Sequence, residues 1–522
     1  MLINRVQAEF IGTNRIDPDY YRPEYLADEK LLRGFGSDEL SSVGRFFAGP
    51  FGSKLPSEFY LSSGIPLFRV GNVGSMEVLM DGMAHLAPDI HADLIDSEVV
   101  SGDLLIVKAS VGQKICRVPQ WMPRANITQH IIGIRPNGEV DMDYVAAFLV
   151  CEFGRRQLVR RSLGSIIQYL GVTDSKTVLL PRVTSELQEM IGGKVRQAEW
   201  LRDYGKFLDS SIRNLIETDK LRDALASQNP KSQNAPVKFI QDRLDSKYYT
   251  VRALAVHHAC SLEGEKEIAD LSPRMSNGFE YRDFVSEGRP FITVSEVSAG
   301  RLDTNFAPRI PWTVEIPEKA SVNECCVLVV RSGTVGCAVK AHREDSSAAL
   351  ASDIIRLEFS EEKTAAAIAA FLSSPTGSFL LTRASYGTVM PKLAQEELIR
   401  IPVPNHVLNH SDELLRLTNA REDSFRNANR LSLAAKLLIE ALIDGKISEA
   451  ELVATQEALE RGDHSADRAL LSRLSRKGLD VSSEPPLFPD LDALYSLLQE
   501  TKTTNRNENE HPESPYFEGN FG

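Results

Sequence analysis

Cysteine is scarce, with six in 522 residues, and none are paired as Cys-x-x-Cys. That excludes a disulfide scaffold and a zinc ribbon. Cys325 and Cys326 are adjacent, while Cys116, Cys151, Cys260 and Cys337 stand far apart, the pattern of free thiols in a reducing compartment. Long apolar runs are missing too. The richest, such as Ala365 to Leu372, falls well short of the roughly 18 residues of a membrane span. The opening MLINRVQAEF lacks the apolar stretch of a secretory signal, so a cytoplasmic protein is expected. Catalytic signatures are also absent: no Gly-x-x-x-x-Gly-Lys-Ser/Thr loop, no His-Glu-x-x-His, no Gly-x-Ser-x-Gly elbow. No Asn/Asp-Pro-Pro-aromatic segment occurs. The chain reads as a non-enzyme with no cofactor and no metal, and His257-His258 as surface or loop histidines. Positive charge is short as well: 59 Lys+Arg against 72 Asp+Glu give a net −13. Taken alone, this argues against nucleic acid, because phosphate contacts need clustered cations.

What is present is a repeat. Arg15-Ile16-Asp17-Pro18-Asp19-Tyr20-Tyr21 is echoed by Arg243-Leu244-Asp245-Ser246-Lys247-Tyr248-Tyr249, an offset of 228. Gly64 to Val70 pairs with Gly288 to Val294 and Val111-Gly112 with Val335-Gly336, both at 224. Ile131-Ile132 pairs with Ile354-Ile355, Phe148-Leu149 with Phe371-Leu372, Gly164 with Gly387 and Leu170 with Leu393, all at 223. So ordered a register marks a duplicated unit of domain size. Each copy opens with β-rich runs bounded by Gly turns, Leu104 to Val107 and Val327 to Val330. A short helix follows, Tyr144 to Val159 or Ala365 to Leu381, and the front part closes on Leu179-Leu180-Pro181 or Ile401-Pro402-Val403-Pro404.

Each copy then runs into a long helical stretch. In the first, Leu201, Gly205, Leu208, Ile212 and Leu215 form a heptad seam with one weak Gly. In the second, Leu417, Ala428, Leu431, Ala435, Leu438 and Leu442 share one frame, diluted by Arg421 and Ser424. The expected class is α+β: two tandem α/β domains separated by two long antiparallel coiled-coil helices, with pseudo-twofold symmetry. The boundaries read as 1–183 for the first domain, 184–225 for the first long helix and 226–238 for a polar linker. The second domain is 239–404 and its helix 405–445. A helical extension, 446–500, and a disordered tail, 501–522, complete the chain.

Both copies open on Arg-Ile/Leu-Asp-x-x-Tyr-Tyr, and the first continues with Pro50-Phe51-Gly52-Ser53-Lys54-Leu55 followed by Gly64 to Val73. Gly102-Asp103-Leu104-Leu105-Ile106 with Ser110-Val111-Gly112, and Leu437 to Ile447, complete the set. In these residues the chain resembles, over roughly residues 10 to 450, the DNA-specificity subunit of type I restriction-modification enzymes. The second copy departs from the Pro-Phe-Gly-Ser part, reading Ser276-Asn277-Gly278-Phe279. The resemblance implies two target-recognition domains, each reading half of a bipartite double-stranded DNA site, with helix length setting the spacer. It implies two adenine-methyltransferase partners and, in restriction complexes, a translocase-nuclease, all serving phage defence. Two other readings stand beside it: the specificity subunit of a methylation-linked defence complex outside type I, and a scaffold that binds no DNA.

Base and phosphate contacts need Arg, Lys, Asn or Gln on accessible loops. In the first copy the basic stretch 155–182 supplies Arg155, Arg156, Arg160 and Arg161, with Ser165, Gln168 and Tyr169 set within it. Over those positions Lys176 and Arg182 add to a local charge of about +5 against Asp174 alone, the density that phosphate binding calls for. The matching stretch of the second copy holds Arg383, Ser385, Tyr386, Thr388 and Lys392. Loops after strands add Lys108, Ser110, Gln113 and Lys114, with Arg331, Ser332 and Thr334 opposite; Lys54 and Arg69 are phosphate anchors. The alternative for each is a solvated or packing role. Packing is favoured for Tyr20-Tyr21 and Tyr248-Tyr249, and Trp121 and Trp312 read as core or loop anchors. Trp200, Tyr204, Phe207 and Phe425 are large for exposed helix positions and are candidates for partner docking or an intrachain seam. Pro485 to Tyr495 reads either as a helix packing back on the rod or as a docking peptide.

Overall fold

The computed structural model describes residues 15–50, 52–109, 111–164, 168–229, 243, 245–262, 266–387 and 389–509. The chain divides into two units, Met1–Leu201 with Asn427–Gly522, and Arg202–Arg426. The core of the first is an antiparallel sheet in the order Gly44–Ala48, Ile131–Pro136, Leu104–Val107, Ile115–Arg117. The second holds Arg274–Asn277, Ile354–Glu358, Cys326–Val330 and Ala338–Lys340 in the same order and sense. The central strands Leu104–Val107 and Cys326–Val330 are buried at every position, which is why they read as unbroken apolar runs rather than alternating ones. Each unit adds a second sheet containing one parallel pairing, Leu67 beside Asn126 and Phe291 beside Ala349. The first unit's has four strands and the second unit's has three.

The short helices expected at 144–159 and 365–381 are each broken in two. Met142–Val150 is followed by Glu152–Arg161, and Glu362–Ser373 by Pro375–Ala384; the second pair bends by 79°. Pro375 has no N–H with which to continue the preceding helix. Cys151 and Ser374 are extended, and the elbow closes so tightly that only glycine fits inside it. A Cβ on Gly154 would lie 2.1 Å from the Phe148 carbonyl oxygen, and one on Gly377 1.9 Å from that of Phe371. Among the described residues no single helix is long and apolar enough to cross a membrane.

The first long helix is Ser185–Ile216, shorter than the 184–225 expected. Thr218 ends the run by capping a separate helix, Asp219–Ala226, through the Leu221 N–H. The second is Ser411–Ile443. Each is close to 50 Å at 1.5 Å per residue. Within the second unit they run antiparallel. The Arg421 guanidinium donates to Asp209 Oδ1 at 3.0 Å, and a Cβ on Gly205 would sit 2.7 Å from Phe425 Cζ. The weak glycine of the seam is therefore the socket for an aromatic ring. The two diluting residues are also accommodated: Arg421 pairs with Glu422 as well as Asp209, and Ser424 returns its hydroxyl to the Ala420 carbonyl at 2.7 Å. At the end of the first seam burial passes from Leu215 to Ile216, the drift expected of a 3.6-residue helix on a 3.5-residue repeat.

The extension is a folded part of the first unit, consisting of helices Glu449–Glu460 and Ser465–Ser472, a hairpin, and helix Leu491–Asn509. The last helix runs into what was expected to be a disordered tail; residues 510–522 lie outside the described residues, as does most of the 226–238 linker. Leu487, Phe488, Leu494 and Tyr495 are buried, so this segment packs inside its own unit rather than offering a docking peptide. The extension is tied down by a buried ion pair. Lys194 Nζ meets both Asp467 oxygens at 2.6 Å with both side chains 1% exposed, and Tyr495 donates its hydroxyl to the same carboxylate. Removing one partner strands a buried charge. Lys194→Ala should therefore destabilise the chain by about 3–5 kcal/mol in chemical denaturation, whereas Lys194→Met with Asp467→Leu should recover most of the loss. A double variant as unstable as the single one would contradict this account.

Candidate nucleic-acid interface

The repeated Arg-x-Asp-x-x-Tyr-Tyr builds the same clasp in both units. Arg15 grips Asp17 through two hydrogen bonds of 2.7 and 2.9 Å, and the Tyr21 hydroxyl donates to the Arg15 carbonyl at 2.7 Å. In the second unit Arg243 grips Asp245 at 2.8 and 2.9 Å, and Tyr249 donates to the Arg243 carbonyl at 2.8 Å. Hydrogen bonding to Arg15 holds the Asp17 carboxyl below its ordinary range. Each clasp then reaches across the chain to the end of the second elbow helix. Arg15 donates to the Arg161 carbonyl at 3.2 Å, and Arg243 to the carbonyls of Ala384 and Ser385 at 2.6 and 2.8 Å. The other tyrosine carries two guanidiniums. Arg15 and Arg160 lie 4.6 and 4.1 Å from the Tyr20 ring; Arg243 and Arg383 lie 4.6 and 3.9 Å from Tyr248. The doubled tyrosines are packing groups.

What the clasp holds is the root of a loop. Leu163 and Tyr169 exchange backbone hydrogen bonds of 2.9 and 2.8 Å, and Leu170 donates to the Lys108 carbonyl at 2.9 Å. At the matching place Tyr386 and Lys392 exchange two bonds of 2.8 Å, and Leu393 donates to Arg331 at 2.8 Å. Each loop begins with a glycine at positive φ, Gly164 at +108° and Gly387 at +91°, which turns the chain outward where an L side chain would be strained. The loops present Gln168 and Tyr169 in one unit and Tyr386 and Lys392 in the other, all exposed. The second also exposes Val389 and Met390, at 97% and 60%. Those two were not among the sequence candidates, because apolar type points to the core unless the loop is known. Ser165 and Thr388 belong to these loops, and Ser110 to the adjoining turn; all three lie outside the described residues.

The basic stretch is arranged differently from its sequence. Arg160 and Arg161 are each 5% exposed and point inward. Arg160 donates to the Tyr20 carbonyl at 2.7 Å and to Glu29 at 2.5 Å. Arg161 donates to the hydroxyl and carbonyl of Thr177, both at 2.8 Å, and burial pushes its guanidinium down to about 10. Arg383 donates to the Tyr248 carbonyl at 3.0 Å, with burial again lowering its pKa. These three are struts rather than phosphate ligands. Arg156 pairs with Glu152 and with Asp28 at 3.4 Å, Arg182 with Asp38, and Lys176 lies 5.8 Å from the Phe46 ring. Apart from Glu152, the carboxylates that answer this stretch come from residues 28, 29 and 38, more than a hundred positions away.

The remaining candidates divide by accessibility. Lys54, Gln113 and Thr334 are exposed; Arg155, Arg331, Ser332 and Ser385 are half-buried. Arg155 packs beneath the turn at Gly112, where an added Cβ would lie 2.6 Å from its Cγ. Ser385 spends its hydroxyl on the Thr382 carbonyl at 2.7 Å. Lys108 is buried and donates to the Gln129 carbonyl at 2.7 Å, while Lys114 donates to Val70 at 3.1 Å. Arg69 donates to the Gly82 carbonyl and lines a cleft of about 520 Å³ together with Tyr60, Asp81 and His130, none of which the sequence singled out. Of the docking candidates, Phe425 is buried in the helix seam with Arg301 at 3.9 Å over its ring. Trp200 and Tyr204 are half-buried, and Phe207 is 44% exposed, stacked on Tyr204 at 6.2 Å. Trp121 packs against the first core, whereas Trp312 is 61% exposed beneath Arg289. His342, Glu344 and Asp423 bring one ligand atom each within 4.8 Å of one another. His342 already faces Asp423 at 3.3 Å and accepts from the Glu344 N–H at 3.4 Å, so the group is a closed hydrogen-bonded set as it stands.

No family model matches the sequence, and no curated protein does. Solved structures do. A type I restriction-modification S subunit from M. genitalium is similar over 78% of this chain and 94% of its own, at 12% identity and a TM-score of 0.39. The HsdS subunit from Thermoanaerobacter tengcongensis is similar over 79% of this chain and 97% of its own, at 14% identity and a TM-score of 0.26. Both similarities extend over most of this chain and most of the S subunits compared.

Proposed function

We propose that the protein is a sequence-specific DNA-recognition subunit that reads a bipartite target and recruits two adenine-methyltransferase subunits in the cytoplasm, with a restriction translocase-nuclease as a further partner in phage defence. The observation that carries this reading is the twin loop. Two copies of one scaffold hold a rooted loop at the same register, but fill it with different side chains, Gln168 and Tyr169 in one and Tyr386, Val389, Met390 and Lys392 in the other. A scaffold that binds no DNA gives no reason to keep the frame and vary the tip. A bipartite reader does: the frame sets position and the tip sets sequence. Under this reading the paired helices are the ruler between half-sites, and the chain itself performs no chemistry.

Lys392→Ala should lower affinity for all sequences and reduce the salt slope by about 1, whereas Gln168→Ala should change one position of one half-site in the methylated motif. Arg160→Gln should instead lower the thermal midpoint of the first unit and leave the slope of the surviving folded protein alone. Salt-titrated binding of the methyltransferase complex, with sequencing of methylated adenines, separates these outcomes; an unchanged motif with Gln168→Ala removes that residue from the reading set. A matched heptad inserted in both long helices adds about 10 Å, so the methylated spacer should lengthen by about 3 base pairs or activity should be lost. A variant that methylates the original spacing at the original rate would exclude the ruler.

A further inference from the structure

The first unit also contains a concave feature. Groove reading is done by convex elements, a helix, a ribbon or a loop tip entering the DNA. A cleft of about 520 Å³ is the opposite shape, and in size it belongs with sites that receive a small molecule. Its wall is the Tyr60 ring with the Arg69 guanidinium 5.8 Å from its centre. Arg69 commits one nitrogen to the Gly82 carbonyl, while its Nε is buried without a hydrogen-bond partner, an arrangement that is costly unless an acceptor completes it. At the mouth the exposed Asp81 carboxylate makes no ion pair among the described residues. An unpaired carboxylate repels phosphate and accepts from an exocyclic amine, as Asp and Glu do from cytosine.

The second unit keeps the backbone frame of this place and discards its lining. Arg69 N–H donates to Asn72 Oδ1 at 3.1 Å; 224 positions on, Thr293 N–H donates to Glu296 Oε2 at 2.8 Å, the same local cap. Tyr60 is matched by Phe284, which turns onto Phe291 at 6.1 Å, and Arg69 by Thr293, which lacks a guanidinium. The fold therefore does not require Tyr60 and Arg69 as a pair. We infer that this cleft is a nucleobase pocket: an unstacked base lies on Tyr60, its ring acceptors toward Arg69 and its exocyclic amine toward Asp81. Cytosine, adenine and guanine carry such an amine, and thymine does not. The base comes either from the first half-site of the DNA, everted as base-modifying enzymes evert theirs, or from a free nucleotide. The DNA source rests on the function proposed above, whereas the pocket chemistry does not.

The test uses the full chain and saturation-transfer NMR with dCMP, dAMP, dGMP and dTMP, and with inorganic phosphate as a competitor. One or more amino-bearing nucleotides should receive saturation and keep it when phosphate is added in excess, and dTMP should receive none. Tyr60→Phe should retain binding, while Tyr60→Ala should weaken it by about tenfold or more, the worth of base stacking. Asp81→Asn should admit dTMP, because the amide offers a donor to the thymine O4. In the methyltransferase complex, Asp81→Asn should relax one position of the first half-site if the base comes from DNA. An unchanged motif together with nucleotide binding assigns the pocket to a free nucleotide. Loss of the nucleotide signal on adding phosphate, equal response of dTMP in the wild type, or undiminished binding in a folded Tyr60→Ala chain each overturns the pocket. A wild-type complex with no sequence preference would sink the DNA reading while leaving the nucleotide result standing.

Discussion

One guanidinium at the start of each unit determines what the rest of that unit can present. Arg15 and Arg243 close on their own aspartates and then on carbonyls near residues 161 and 384, so they join the beginning of the unit to the end of its second elbow helix. The tyrosine beside each lends its ring to a second arginine from that helix. The helix cannot rotate without breaking the clasp, and the loop leaving it is rooted three further times on the backbone. A rigid root is what allows a variable tip: side chains can be exchanged on a loop whose exit direction is fixed by groups outside it.

The seam between the long helices follows the same logic with opposite chemistry. Regular heptads would pair at any register one heptad apart, and the irregular residues remove that freedom. Gly205 admits Phe425 only at one level, and Arg421 meets Asp209 one turn away. Arg426 fixes the neighbouring domain to the same helix, donating to Asp345 at 2.8 Å and to the Leu302 carbonyl at 2.6 Å. Separating the partners of a buried ion pair is costly, so a shifted register is disfavoured. A defined register is what the ruler role proposed above would require.

How much of this was legible in the sequence follows from distance along the chain. The repeat, the buried central strands and the existence of both long helices were readable, because each is set by periodicity or by copies of one motif. The helix ends and the elbows were not: the break after Ile216 depends on a Thr218 cap, and that at Cys151 on how closely Gly154 approaches Phe148. Site residues were the least legible. Arg160 and Arg161 carry the type that phosphate contacts use, yet their direction is decided by Tyr20, Glu29 and Thr177. Tyr60, Asp81 and His130 are unremarkable until folding gathers them around one cleft. Gln168 and Lys392 were singled out only because they lie in the matched stretches that follow Gly164 and Gly387.

The charge balance takes on a different meaning in three dimensions. Residues 155–182 looked like a basic patch because only Asp174 stands among six cations in the sequence. In the fold Asp28, Glu29 and Asp38 face three of those cations, and a fourth, Arg161, is buried on Thr177. The positive charge left for a polyanion in the first unit is therefore smaller than the count suggested. Residues 446–522 add 15 acidic against 8 basic residues to the same unit. Because non-specific DNA affinity scales with the number of phosphates neutralised, the function proposed above would have this chain bind weakly by itself and draw its affinity from basic surfaces that assemble with it. Under that proposal affinity and specificity separate: the partners would hold the backbone, and the loops of this chain would decide where.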